Sequence, residues 1–275
     1  MNSAYGVRRA AHGKKMPLKN SLHTSDRIGS GEKAQPLSLP SAVRPQPDAE
    51  TVLITGASGL LGRALVDEFA AAGFRVLAQH RRRPGREREA VSWLAGDFSG
   101  AAGTQAFLKR HARLLMECRR VVHAYGPVCE KATAALTSSD LLAAFQAQLG
   151  PALDITRFLL ARAPLRSALF IAFEDTGRRR AYARVLAYAL AKNALPLLAL
   201  SLAAAHPGVA FNVFSPPTLA GASLRHPSVA PVDAGQVAAR VRKLALLRSS
   251  GRHFRWPGLA ARRAASRYEW KKGKN

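Results

Sequence analysis

Two cysteines in 275 residues are too few for a disulfide framework, and Cys118 and Cys129 have no metal-site spacing. Neither lies beside a histidine in sequence, so both read as packing residues of a chain kept in a reducing, intracellular setting. Long apolar runs are lacking too. The longest, around 195–205, reads as too short and too broken to span a bilayer, so no membrane span is expected. No internal repeat is present. Acid is scarce, with 17 Asp and Glu against 42 Lys and Arg, a net charge of +25.

Residues 1–50 carry eight basic and four acidic side chains, so nearly all of the surplus lies beyond them. It gathers at Arg81, Arg82 and Arg83 with Arg86 and Arg88, at Arg178, Arg179 and Arg180, and in the tail "YEWKKGKN". Such a field attracts polyanions: nucleic acid, ribosomal surface, anionic lipid or a phosphorylated cofactor. It is also what the solvated surface of an Arg- and Ala-rich protein looks like. For the body both readings stand; for the tail the solvated reading is preferred.

What is present is enough apolar sequence, 48% hydrophobic residues, for one large α/β domain. Residues 1–49 are rich in Ser, Pro, Gly and Lys without apolar periodicity, which predicts a disordered extension. Its early arginines resemble an organelle-targeting peptide, whereas Asp26, Glu32 and the lack of an amphipathic face point away from one. Cytoplasm is the expected compartment, with import through 1–49 the other option.

Order begins at "TVLITGASGLLG". Apolar runs then alternate with helical stretches, with strands expected near 51–55, 74–79, 91–94, 120–124, 168–173 and 209–214. Helices are expected near 60–72, 101–117, 140–162, 179–204 and 234–247, and "GRHFRWPG" reads as a final edge strand. The pattern predicts a doubly wound parallel sheet of Rossmann type. This single domain spans 50–262, and a basic tail covers 263–275.

Gly56, Gly59 and Gly62 stand between the first strand and the first helix. In a dinucleotide fold the first permits the tight turn, the second lets backbone approach a pyrophosphate, and the third lets helix and strand pack. Thr55, Ser58, Leu60 and Leu61 complete the candidate loop, whose helix N-terminus offers N–H groups to phosphate. An NAD site wants an acid at the end of the second strand. Here "VLAQHRRR" places Gln79, His80, Arg81 and Arg82. Guanidinium groups grip a 2′-phosphate that an acid would repel. NADP(H) is therefore the expected cofactor, held also by Asp97 and Phe98 of "AGDFSG" after the third strand; Asp97 could equally cap the next turn.

"AYALAKNAL" sets Tyr188 and Lys192 four apart, on one helix face. With the glycine loop some 130 residues earlier, the pair resembles the short-chain dehydrogenase/reductase family over roughly 50–260. That resemblance implies that Tyr188 exchanges a proton while hydride moves between nicotinamide and substrate. Lys192 would hold the nicotinamide ribose and lower the tyrosine's pKa, as a phenol near 10 needs for work near neutrality.

The family's serine, thirteen residues before the tyrosine, is replaced by Asp175 in "FIAFEDTG". This looks like the pteridine-reductase branch, whose aspartate and tyrosine help protonate a pterin; a strand-end turn residue is the plainer role. His80 and Arg81 match that branch's NADP signature. "GDFS" and the pair Glu130 and Lys131 fit its bacterial dihydrofolate/dihydromonapterin reductase members.

Departures are clear. His123, in "HAYG", replaces an asparagine, and Pro127 replaces a stacking aromatic. The asparagine of the following helix is missing, with Gln146 and Gln148 nearby but out of register. "FSPPTLAG" lacks the family's glycine, and Pro196 removes the donor that would meet the Lys192 carbonyl.

The expected function is an NADP(H)-dependent reductase delivering hydride to a C=N or C=O bond of a small substrate, a pterin first. Tyr188, Lys192 and Asp175 would be catalytic, with no metal, and the resemblance implies a dimer or tetramer. The alternative is a degenerate member of the fold binding RNA or a ribonucleoprotein through its basic surface.

Overall fold

The five residues Thr51–Thr55 (β1) are all buried, so this strand must be covered on both faces. In a computed structural model, described over residues 49–173, 184–222 and 231–256, it lies near the middle of a seven-stranded sheet. The others are Arg75–His80 (β2), Val91–Ala95 (β3), Cys118–His123 (β4), Ser167–Ile171 (β5), Ala210–Ser215 (β6) and Arg252–Arg255 (β7). Their order is β3-β2-β1-β4-β5-β6-β7, and every neighbouring pair is parallel. Asp175, Arg178, Arg179, Arg180, the extension 1–48 and the tail fall outside the described residues.

Among the described residues five α-helices cover the sheet: Leu60–Ala71 (α1), Ala101–Leu115 (α2), Ser138–Arg162 (α3), Leu186–Ala205 (α4) and Ala234–Ala245 (α5). On one face α1 packs with α5 over Val52, Ile54, Phe69, Val122, Phe214 and Val241. On the other, α2, α3 and α4 bury Leu53, Phe98, Phe107, Ile155, Phe170 and Phe211. This is the predicted doubly wound sheet, and the first six strands lie within two residues of their expected positions, with β7 inside the expected final edge strand. α3 starts at a capping box: Thr137 accepts from the Asp140 N–H, and Asp140 returns a bond to the Thr137 N–H.

The expectation of no membrane-length apolar segment needs correction. α4 is 20 residues long with mean hydropathy 1.5, enough by length and composition to cross a bilayer. Reading the run from 195 hid this, because Lys192 interrupts it. Here α4 lies along the sheet with Lys192 turned inward, 3% exposed.

Parallel topology also fixes where a ligand can sit. From β1 the chain runs outward to β2 and β3, then returns to β4 on the other side of β1. A crevice therefore opens beyond the carboxyl ends of β1 and β4.

Candidate active site

At the crevice β1 must turn back under α1. Gly56 does this at φ +70°, and a Cβ there would stand 2.7 Å from Tyr125 Cα. A Cβ on Gly62 would lie 2.1 Å from the Gly56 carbonyl oxygen, so the first turn of α1 sits directly on the loop. Gly59 meets only that oxygen, at 3.2 Å. α1 starts without a side-chain cap and without acid in its first turn, which leaves its positive end unopposed. This cradle fits an anionic diphosphate.

The remaining loop residues serve the loop itself. Thr55 Oγ1 accepts from the Tyr125 N–H (3.2 Å), and the Ser58 carbonyl accepts from Arg63 Nε (3.0 Å). Leu60 is exposed, whereas Leu61 packs on the α1/α5 core. Gln79, which sequence reasoning noted only as a non-acid, is buried and fastens two turns together. Its Oε1 accepts from the Gly56 N–H (2.7 Å), and its Nε2 donates to the Gly96 carbonyl (2.6 Å). A polar residue directly after the apolar run Val76, Leu77 and Ala78 was the available signal.

At the exit of β2, His80 meets Trp93 edge-on at 6.1 Å, and its Nδ1 is buried without a partner. Burial, then the neighbouring His111, holds its pKa below the ordinary value. Arg81 and Arg82 follow, both exposed. Asp97 is exposed and caps its own turn, Oδ1 accepting from the Ser99 N–H (3.0 Å). Phe98 is a core residue: its ring packs edge-on against Phe107 (5.0 Å) and Tyr125 (5.3 Å).

β4 ends on His123, buried and stacked on Phe170 at 4.9 Å, with Nε2 2.9 Å from Thr156 Oγ1. Burial, with the Lys192 charge adding to it, brings its pKa down to about 3, so it is neutral at physiological pH. Lys131 bonds Asp140 (2.6 Å), and its N–H meets the Arg184 carbonyl (2.7 Å), so it ties the loop after β4 to α3 and to the approach to α4. Glu130 is exposed.

α4 brings Tyr188 and Lys192 to the same end of the sheet. Lys192 Nζ donates to the carbonyls of Ile171 (3.0 Å), the last residue of β5, and Tyr125 (3.2 Å), which covers Gly56. Burial brings its pKa from 10.5 down to about 7. The expected lowering of the tyrosine's pKa is not found. Burial pushes the Tyr188 phenol up to about 12, while its ring packs edge-on against Phe173 at 5.6 Å. The reason is that the amine faces backbone carbonyls and is itself largely desolvated.

The sequence pattern of the NAD dependent epimerase/dehydratase family matches residues 52–255. No curated protein matches the chain. Among solved structures, a short-chain dehydrogenase of Leptospira borgpetersenii with bound NAD+ superposes with TM-score 0.66 at 15% identity, covering 75% of this chain and 91% of that one. An apo SCOR enzyme of Clostridium thermocellum gives TM-score 0.66 at 16% identity, covering 82% and 98%. The angucycline C-6 ketoreductase LanV with bound NADP gives 0.64 at 17%, covering 75% and 93%. At such identities the likeness is one of fold.

Proposed function

The chain belongs to the NAD dependent epimerase/dehydratase family, and from that premise we propose that it is an NADP(H)-dependent reductase acting on a C=N or C=O bond of a small substrate. The observation that carries this reading is the Lys192 amine at the carboxyl ends of β4 and β5, against the turn that covers Gly56, with Tyr188 one helical turn earlier.

The glycine loop would hold the diphosphate, and Arg81 and Arg82 the 2′-phosphate. When bound, the nicotinamide supplies the hydride. Tyr188, kept protonated by burial, is in the form that gives its proton to the oxygen or nitrogen left negative by reduction. Lys192 would hold the ribose and favour the negative charge that Tyr188 then carries. Asp175 would orient the substrate or relay a proton. With His80 and Arg81, Asp175 makes a pterin the first substrate class to try.

Leu142 and Phe145 on α3 and Leu190, Leu197 and Leu200 on α4, two helices packed against each other, are exposed apolar side chains, with Leu197 69% exposed. We assign them to pairing with a second copy, as the family resemblance implies.

The test is titration of the purified full chain with NADPH and NADH, then turnover on 7,8-dihydropterins. NADPH should bind more tightly, and Tyr188→Phe should lower turnover about a hundredfold or more while leaving NADPH affinity unchanged. Binding of neither nucleotide would overturn the reading and turn attention to salt-dependent RNA binding.

A further inference from the structure

α2 carries no acidic residue, and α3 carries only Asp140 and Asp154. Asp140 is bonded to Lys131, and Asp154 Oδ2 accepts from Gln105 Nε2 at 3.4 Å. The second of these bonds sets α2 beside α3. Both helices run from the carboxyl ends of the strands back to the amino ends, as crossovers between parallel strands must, so they advance side by side. Residues four apart share a helix face. Lys109 and Arg113 therefore follow Gln105 by one and two turns, and Phe158 and Arg162 follow Asp154 in the same way. Arg110 and Arg157 are their immediate neighbours in sequence.

Lys109, Arg110, Arg113, Arg157 and Arg162 are all exposed, and among the described residues none of them is paired with a carboxylate. Arg162 lies instead over the Phe158 ring, 5.6 Å from its centroid. The helix dipole accounts for Arg113 and Arg162, which sit in the last turns of their helices. It does not account for Lys109, Arg110 or Arg157, which come before those turns. Like charges three and four apart, such as Arg110 with Arg113 and Lys109 with Arg113, weaken a helix. The fold thus gathers unopposed positive charge where its own stability gains nothing from it.

We propose that this strip, on the C-terminal halves of α2 and α3, is a docking surface for the phosphate backbone of a nucleic-acid strand. Guanidinium and ammonium groups set along two parallel helices meet successive phosphates through charge-assisted bonds. Such contacts go to phosphate and not to base edges, so the surface takes strands of any sequence. An anionic membrane is the poorer fit. A helix lying on lipid sets large apolar side chains beside its charges, and within 105–113 and 154–162 no large apolar side chain is exposed. Met116, just past α2, is one such side chain where a row is needed. The strip lies toward the amino ends of the strands, whereas the crevice opens at their carboxyl ends. A bound strand therefore leaves the reductase site open, and the inference does not rest on the reading above.

The probe is a fluorescent single-stranded RNA of mixed sequence, titrated with the full chain by anisotropy at a series of salt concentrations. Lys109→Gln with Arg113→Gln and Arg162→Gln takes three charges from the strip. Each phosphate contact on a single strand adds about 0.7 to the slope of log affinity against log salt, so the slope should flatten by about 2 and low-salt affinity should fall about tenfold or more. Single-stranded DNA of the same sequence should behave alike. Lys243→Gln with Arg248→Gln and Arg252→Gln takes the same charge from exposed positions on α5 and the stretch to β7, and should change the slope less than half as much. An equal loss in the two variants overturns the proposal, because affinity would then follow net charge and not the strip. So does a wild type that binds no RNA at about 50 mM salt. RNA binding unchanged in the strip variant overturns it too, and loss of binding to phosphatidylserine vesicles in that variant would then assign the strip to a membrane. If the triple variant does not fold, Lys109→Gln with Arg113→Gln should flatten the slope by about 1.4.

Discussion

Replacing Lys192 by methionine should change the pH dependence of stability in a calculable way. Unfolded, the lysine keeps its proton up to about 10.5; folded, it keeps it only up to about 7. Between those values the unfolded chain binds more protons, so the wild type gains stability as pH rises and loses it as pH falls toward the folded value. Below that value both states are charged and the loss levels off. From about pH 9 to about pH 6 the difference is close to one proton over two pH units, roughly 2 to 3 kcal/mol. Lys192→Met keeps the length and much of the packing but has no such term. His123, held near 3 first by its own burial, stays neutral throughout this window in both proteins. Urea unfolding of wild type and variant at the two pH values gives the gap directly, and other titrating groups largely cancel. Relative to the wild type, the variant should gain roughly 2 to 3 kcal/mol on going to the lower pH. A gap constant to within about 0.5 kcal/mol would refute the buried, desolvated amine and the geometry built around it.

Gly62→Ala and Gly59→Ala should separate packing from binding. The first places a methyl 2.1 Å from a backbone oxygen and should cost about 2 kcal/mol or more in a thermal or urea melt. The second has 3.2 Å to its nearest neighbour and should cost about 1 kcal/mol or less, yet weaken dinucleotide binding in a fluorescence titration. Arg81→Ala with Arg82→Ala should reduce any preference for NADPH over NADH about tenfold or more, both affinities measured at one salt concentration. Leu197→Lys, on a side chain 69% exposed, should leave the melt within about 0.5 kcal/mol of wild type and halve the mass seen by light scattering. A wild type that is monomeric at every concentration would refute the pairing.

The strands were legible because each is a short apolar run between turn signals, and their parallel order follows from the helices between them. The turn at Gly56, Gly59 and Gly62 was legible for a related reason. Its steric needs are local, and they show as glycine in the sequence itself. The start of α4 was less so: its described part begins at Leu186, where 179 was expected, because alanine and arginine favour helix without marking where it begins. The membrane-length character of α4 was missed because one lysine broke the apolar run, and nothing local shows that its amine turns inward.

Residue types, their spacing and the charge were thus settled by the chain alone: a parallel α/β domain, a turn fit for a diphosphate, arginines beyond β2, and a tyrosine and lysine sharing one helix face. Tertiary structure decided what those groups meet. It placed Gln79 between two turns, made the Phe98 ring core, and set His123 against Thr156. It also aimed Lys192 at two backbone carbonyls. Hydrogen-bond partners and desolvation depend on atoms brought together from distant parts of the chain. The charge state of a buried group is therefore a property of the fold, to which its own neighbours in sequence contribute little.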